Sequence, residues 1–128
     1  MTLDSSALIA ILVSEAGSLD LVVQILEADV VRVGTPTLVE TSIVLSSRRG
    51  KPSLKEVQRL IDELGVSVAP FGEAEWQAAA SAYDRFGRGK HPAGLNFGDC
   101  LAYAAAATAG DSLLFVGNDF TKTDIRRA

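Results

Sequence analysis

Short apolar runs alternate along the chain with segments whose apolar positions recur at helical spacing. Met1-Thr2-Leu3 is a brief apolar start that fits a buried strand, and Ala7 to Leu12 behind it reads as a helix. Leu19, Val22, Val23 and Leu26 recur at i, i+3, i+4 and i+7, the mark of an amphipathic helix. Val30 to Val33 is rich in β-branched residues and predicts a second strand. Thr35-Pro36 predicts a helix start, with Thr35 as cap and Pro36 at the first helical position, and this helix runs through Glu40 to Arg48-Arg49-Gly50. Ser53 and Glu56 have the spacing of a capping box; Leu54, Val57, Ile61 and Leu64 then make one stripe, which Gly65 ends. Val66 to Val68 predicts a third strand, and Trp76, Ala79, Ala80 and Tyr83 another helical face. Phe86 to Gly94 holds three glycines and a proline and predicts a loop. A helix of small residues covers Asn96 to Ala109 and closes at Gly110; Leu113 to Val116 is a fourth strand, broken at Gly117-Asn118-Asp119.

Strands separated by helices favour a parallel sheet of four to five strands with helices on both faces, an α/β fold over residues 1–128. Hydrophobic residues are 48% of the chain but aromatics only 6%, so the core is aliphatic and alanine-rich. With 12 basic against 16 acidic residues the net charge is −4, which excludes a protein that holds nucleic acid by bulk positive charge. It does not exclude a nuclease, because carboxylates bind metal ions and metal ions bind phosphate. A single cysteine, Cys100, makes neither an internal disulfide nor a cysteine-based zinc site, and reads as a packed core thiol. The chain shows no signal peptide and no apolar run of about 18 residues, so a cytoplasmic protein with no membrane span is expected.

In such a sheet, ligands sit beyond the carboxyl ends of the strands. Asp4 and Asp119 end the first and last predicted strands, Glu40 lies just past the first turn of its helix, and Asp99 is near the start of its own. If these four converge they raise one another's pKa, and they need a cation to stay ionised together. A set made only of oxygens suits a hard divalent ion, Mg²⁺ or Mn²⁺, and such an ion supports phosphodiester hydrolysis without histidine. Each residue also has a plainer role: Asp4 as a helix cap, Glu40 as a solvated helix residue, Asp99 as a partner of the helix dipole, Asp119 as part of a turn.

The segments bearing these residues are Met1-Thr2-Leu3-Asp4-Ser5-Ser6-Ala7-Leu8, Thr37-Leu38-Val39-Glu40, Leu95-Asn96-Phe97-Gly98-Asp99-Cys100-Leu101-Ala102-Tyr103-Ala104 and Leu113-Leu114-Phe115-Val116-Gly117-Asn118-Asp119-Phe120. Together, and in this order, they resemble the PIN-domain ribonucleases, and within them the VapC-type toxins of bacterial toxin–antitoxin pairs. The resemblance implies a Mg²⁺-dependent endoribonuclease that cuts structured RNA of the transfer or ribosomal class and so stops translation. It implies Asp4, Glu40, Asp99 and Asp119 as the acidic quartet, with Asp4, Asp99 and Asp119 on the metal. Ser6 matches a hydroxyl that orients Asp4 or a water, and Asp124 an additional acidic neighbour, the plainer role of Asp124 being a helix cap. It further implies a VapB-type antitoxin that silences the enzyme, a homodimer, and contact with DNA only through the antitoxin. The family's last short strand is expected to be missing or truncated here.

RNA affinity then falls to local patches. Arg48-Arg49-Gly50-Lys51 reads as a solvated loop; Arg85, Arg88, Lys90 and His91, which directly precede the Asp99 segment, are the expected RNA contacts. Trp76 and Tyr83 are expected in core or interface. Two other readings compete with the nuclease. A catalytically silent PIN-like interaction module would keep the fold without the chemistry. A phosphoryl-accepting receiver domain would need an acidic acceptor after the third strand, where the chain has Ala69-Pro70-Phe71, and a lysine where Asn118-Asp119 stands.

Overall fold

The computed structural model describes residues 1–128. Its elements in chain order are β1 (Thr2–Leu3), α1 (Ser5–Leu12), α2 (Ser18–Glu27), β2 (Arg32–Gly34), α3 (Thr35–Arg49), α4 (Leu54–Glu63), β3 (Ser67–Ala69), α5 (Glu73–Phe86), α6 (Phe97–Ala109) and β4 (Leu113–Leu114). The four strands form one sheet in the order β3-β2-β1-β4, and every pairing is parallel. The chain builds outward from β1 through β2 to β3 and then returns to β1's other edge, so the strand order reverses between β1 and β4. That switch point opens a crevice at the carboxyl edge of the sheet.

Side chains that alternate along the strands feed two cores. Leu3, Val33 and Leu114 pack with Leu8, Leu45, Val57 and Ile61 from α1, α3 and α4. Leu113 and Phe115 pack with Ala82, Phe86, Tyr103 and Phe120. Alanines line the buried face of α6 (Ala102, Ala104, Ala105, Ala106) and let it lie close to the sheet. A Cβ on Gly34 would come within 3.2 Å of the Ala105 Cβ, so β2 ends in glycine where α6 crosses it. No helix is long and apolar enough to cross a membrane.

Several local expectations are corrected. Thr35 is the first helical residue rather than the cap, because β2 runs directly into α3 and Gly34 takes the cap position without a side-chain bond. The Ser53–Glu56 capping box does not form: the Ser53 hydroxyl donates to the Lys51 carbonyl at 3.1 Å, and Glu56 turns to Arg49 at 3.3 Å. The second strand lies at Arg32–Gly34, leaving Val30 exposed. Phe86 closes α5 rather than opening the loop. The fourth strand is only Leu113–Leu114, because the chain beyond it bends toward the site. A further edge strand survives as a single parallel bridge, in which the Leu113 N–H donates to the Arg126 carbonyl at 2.8 Å and the Ala128 N–H to the Leu113 carbonyl at 3.0 Å.

Candidate metal centre

Asp4 leaves the end of β1 and caps α1. Its N–H donates to the Leu114 carbonyl of β4 at 2.9 Å, and its Oδ2 accepts from the Ser6 N–H at 3.0 Å and from the Ser6 hydroxyl. The Ser6 oxygen in turn accepts from the Val116 N–H at 3.0 Å. Ser6 therefore ties Asp4 to the strand end that leads to Asp119. Asp4 is buried at 4% exposure, and burial raises its pKa; the Ser6 bonds pull the other way, and Asp119 adds to the rise.

Asp99 is fixed by a reciprocal cap. The Asn96 N–H donates to Asp99 Oδ2 at 2.8 Å, and the Asp99 N–H donates to Asn96 Oδ1 at 2.9 Å. One carboxylate oxygen is thereby held by the helix start while the other stays available. Partial burial is the largest cause that lifts Asp99 to about 6; Asp4, Asp119 and Glu40 add to it by charge repulsion. Glu40, in the second turn of α3, is also raised, first by burial and then by Asp4, with Ser5 opposing. Its carboxylate rests against Gly98: a Cβ there would lie 2.3 Å from Glu40 Oε1. Glycine at this position is what lets α3 and α6 bring Glu40 and Asp99 to one crevice.

The structure thus brings Asp4, Glu40 and Asp99 together with the exposed Asp119 in mutual electrostatic range. The seven ion pairs of the protein include none of the four. A negative cluster with no protein cation, partly out of water, calls for an external one. No three of the chain's His, Cys, Asp and Glu side chains lie close enough in this structure to hold a metal ion among themselves. An ion such as Mg²⁺, which keeps several waters and takes further oxygens from phosphate, needs only part of its shell from the protein. The donor set fits that ion and offers nothing to a thiophilic one.

Asp124 lies apart from this group. Its Oδ1 accepts from the Tyr103 hydroxyl at 2.6 Å and its Oδ2 from Arg85, and the segment around it is turn rather than helix, so it caps none. Of the expected RNA contacts, Arg85 is thus paired with Asp124 and Lys90 with Asp84 at 2.7 Å. His91 Nδ1 accepts from the Ala93 N–H, and its ring stands edge-on to Phe86. Arg88 is exposed and in no ion pair. Arg48 and Arg49 pair with Glu15 and Glu56 at the end of α3. Cys100 is buried at 3%, as expected; Trp76 at 57% and Tyr83 at 42% exposure are surface residues, which corrects the core half of the core-or-interface expectation and leaves the interface half. Sequence reading missed the Asn96 cap, although an Asn three residues before an Asp is a capping signal, and it missed Gly98 as the seat of Glu40.

The profile of the PIN domain matches residues 1–126. Ribonuclease VapC28 of Mycobacterium tuberculosis is 43% identical over 129 residues, covering 100% of this chain and 97% of that protein. Ribonuclease VapC of Mycolicibacterium smegmatis is 38% identical over 125 residues, covering 98% and 97%. Among solved structures, Mycobacterium tuberculosis VapC20, described as a sarcin-ricin loop cleaving toxin, superposes with a TM-score of 0.79 at 17% identity, over 99% of this chain and 97% of that one.

Proposed function

The chain belongs to the PIN domain family and to its VapC ribonucleases, and from that premise we propose that it is a divalent-metal-dependent endoribonuclease toxin. Its substrate is structured RNA of the transfer or ribosomal class, its action is to stop translation, and it works in the cytoplasm under a VapB-type antitoxin. The observation that carries this reading is the set of four carboxylates from separate elements, gathered at the sheet's switch point without a protein cation.

In this mechanism Asp4, Asp99 and Asp119 hold Mg²⁺ or Mn²⁺. When bound, the ion supplies the positive charge that polarises a phosphoryl oxygen and acidifies water. Ser6 keeps Asp4 in one rotamer, and Asn96 does the same for Asp99. Glu40, whose pKa is already raised by burial, accepts at its carboxylate the proton of the attacking water while phosphorus bonds to that oxygen and its bond to the ribose oxygen breaks, the departing ribose oxygen taking its proton from solvent. Arg88 contacts the RNA backbone.

Purified, antitoxin-free protein should cut total RNA into discrete fragments with Mg²⁺ or Mn²⁺ and leave it intact with chelator. A folded sample that cuts nothing, or cuts equally in chelator, would sink the reading and leave a silent interaction module.

The same proposal includes a homodimer. Two adjoining grooves of about 640 and 650 Å³, the second lined in part by Glu40, share Phe71, Phe97 and Leu101. Val39, Ile43, Trp76 and Phe97 stand exposed along them. Apart from Glu40 and Asp84, the latter paired with Lys90, the lining is apolar, so most of the surface that two copies bring together carries no charge. Ile43→Glu with Trp76→Glu is expected to yield a monomer by light scattering; an unchanged mass would place the dimer elsewhere.

A further inference from the structure

The Asp119 side chain is exposed and has no hydrogen bond of its own in the structure. Its place is therefore set by the backbone that carries it. At the start of that segment the Val116 N–H holds Ser6. In the middle, Phe120 is buried at 2% against Phe115, with ring centroids 5.0 Å apart. From there to Ile125 the segment bonds mainly to itself: the Thr121 N–H and hydroxyl donate to the Asn118 carbonyl, those of Thr123 to the Phe120 carbonyl, and the Ile125 N–H to the Thr123 hydroxyl. Its far end is gripped by side chains. Asp124 takes the Tyr103 hydroxyl on one oxygen at 2.6 Å and Arg85 on the other at 2.5 Å.

Tyr103 is buried at 6% and lies four residues, one helical turn, after Asp99 on α6. The helix that carries Asp99 thus also anchors the turn that carries Asp119. We propose that Tyr103 and Arg85, acting through Asp124, are positioning residues that set Asp119 relative to Asp99. This rests on the nuclease reading above and assigns Asp124 to the clamp rather than to the acidic group. The Tyr103 bond bears most of the effect, since its donor sits on a residue buried at 6% in α6, whereas the Arg85–Asp124 pair is half-exposed on both sides.

Tyr103→Phe removes one oxygen and keeps the ring. Titrating Mn²⁺ into the protein by calorimetry should show affinity weakened roughly tenfold, the size of effect seen when a residue supporting a metal ligand is lost. Amide hydrogen exchange should rise across 118–125. In an Asp119→Asn background the same change should weaken Mn²⁺ no further, which a merely structural role would not predict. Asp124→Asn, which still accepts the Tyr103 hydroxyl, should keep most of the affinity; should Tyr103→Phe fail to fold, the exposed-side variant Asp124→Ala carries the same tenfold expectation. Wild-type protein that binds Mn²⁺ beside a Tyr103→Phe variant of equal affinity overturns the clamp alone, as does a loss that persists in Asp119→Asn. Wild-type protein that binds no Mn²⁺ overturns the nuclease reading and the clamp with it.

Discussion

Replacing Asp4 by Asn should leave the protein folded, and more stable than wild type in metal-free buffer at pH 7, while cutting RNA cleavage on the order of 10²–10³-fold. The loss follows from removing one charged ligand from an ion whose charge stabilisation is worth several kcal/mol, at about 1.4 kcal/mol per tenfold in rate. The folding half follows from the bonds Asp4 makes. Asn caps helices as well as Asp does, and its side-chain oxygen accepts from the Ser6 N–H and hydroxyl as the carboxylate does now. The gain in stability follows from burial: a carboxylate whose pKa is pushed up in the fold costs free energy whenever it is ionised there. Asp99→Asn should behave alike, because its oxygen still accepts from the Asn96 N–H. Asp4→Ala would instead forfeit the α1 cap, at about 1 kcal/mol, and blur the result. Cleavage rates read beside thermal melts decide the matter. A folded variant that stays active would remove that carboxylate from the chemistry.

Activity and stability pull apart here for a reason that the fold makes plain. Asp4, Glu40 and Asp99 come from β1's end, α3 and α6, elements that need no carboxylate to pack. Glycine at 98 admits Glu40 to within contact of α6, and a Cβ there would collide with it. The protein spends part of its stability on holding like charges together, which is the usual signature of a site kept for binding rather than for folding.

The fold and the acidic positions are legible in the sequence because short-range signals govern them. β-branched runs and breaker residues mark the strands to within a residue or two, and an acid directly after a strand lands at the carboxyl edge of a parallel sheet. Asp4 is placed by that rule alone, and Asp119 by the turn that follows β4, five residues past its end. Glu40 and Asp99 are not: they meet because α3 and α6 pack together at Gly98, which no spacing reveals. The basic patch is misjudged for a related reason. Arg85 and Lys90 look free in the sequence, yet Asp124, 39 residues away, takes the one, and Asp84, on the preceding turn, takes the other. The capping box at Ser53 has the right letters, but its glutamate has a competing cation in Arg49. Local patterns name a residue's options, and tertiary partners choose among them.

The stability of the metal-free protein should fall as pH rises from about 4 to above 6, and a divalent ion should reverse that fall. Asp99 binds its proton more tightly in the fold, at about 6, than at its ordinary 3.8. Its contribution is therefore present in full below about pH 4 and is lost as pH rises through about 6. Asp4 and Glu40 are raised as well and act in the same direction. Asp124 acts oppositely: the Tyr103 and Arg85 bonds hold it below 3.8, so its contribution is lost only as pH falls beneath that value, outside this window. For Asp99 the shift corresponds to on the order of 1–2 kcal/mol once its partial exposure to screening solvent is allowed for, or several degrees in Tm. Added Mg²⁺ or Mn²⁺ needs ionised ligands, so the stabilisation it gives should be small at pH 4.5 and large at pH 7.5. Asp99→Asn should flatten the metal-free profile and shrink the metal response together. Melts across this range, with ion and with chelator, read both. A metal-free stability that climbs steadily through pH 6, or an ion effect indifferent to pH, would mean that the carboxylates do not share one charged site.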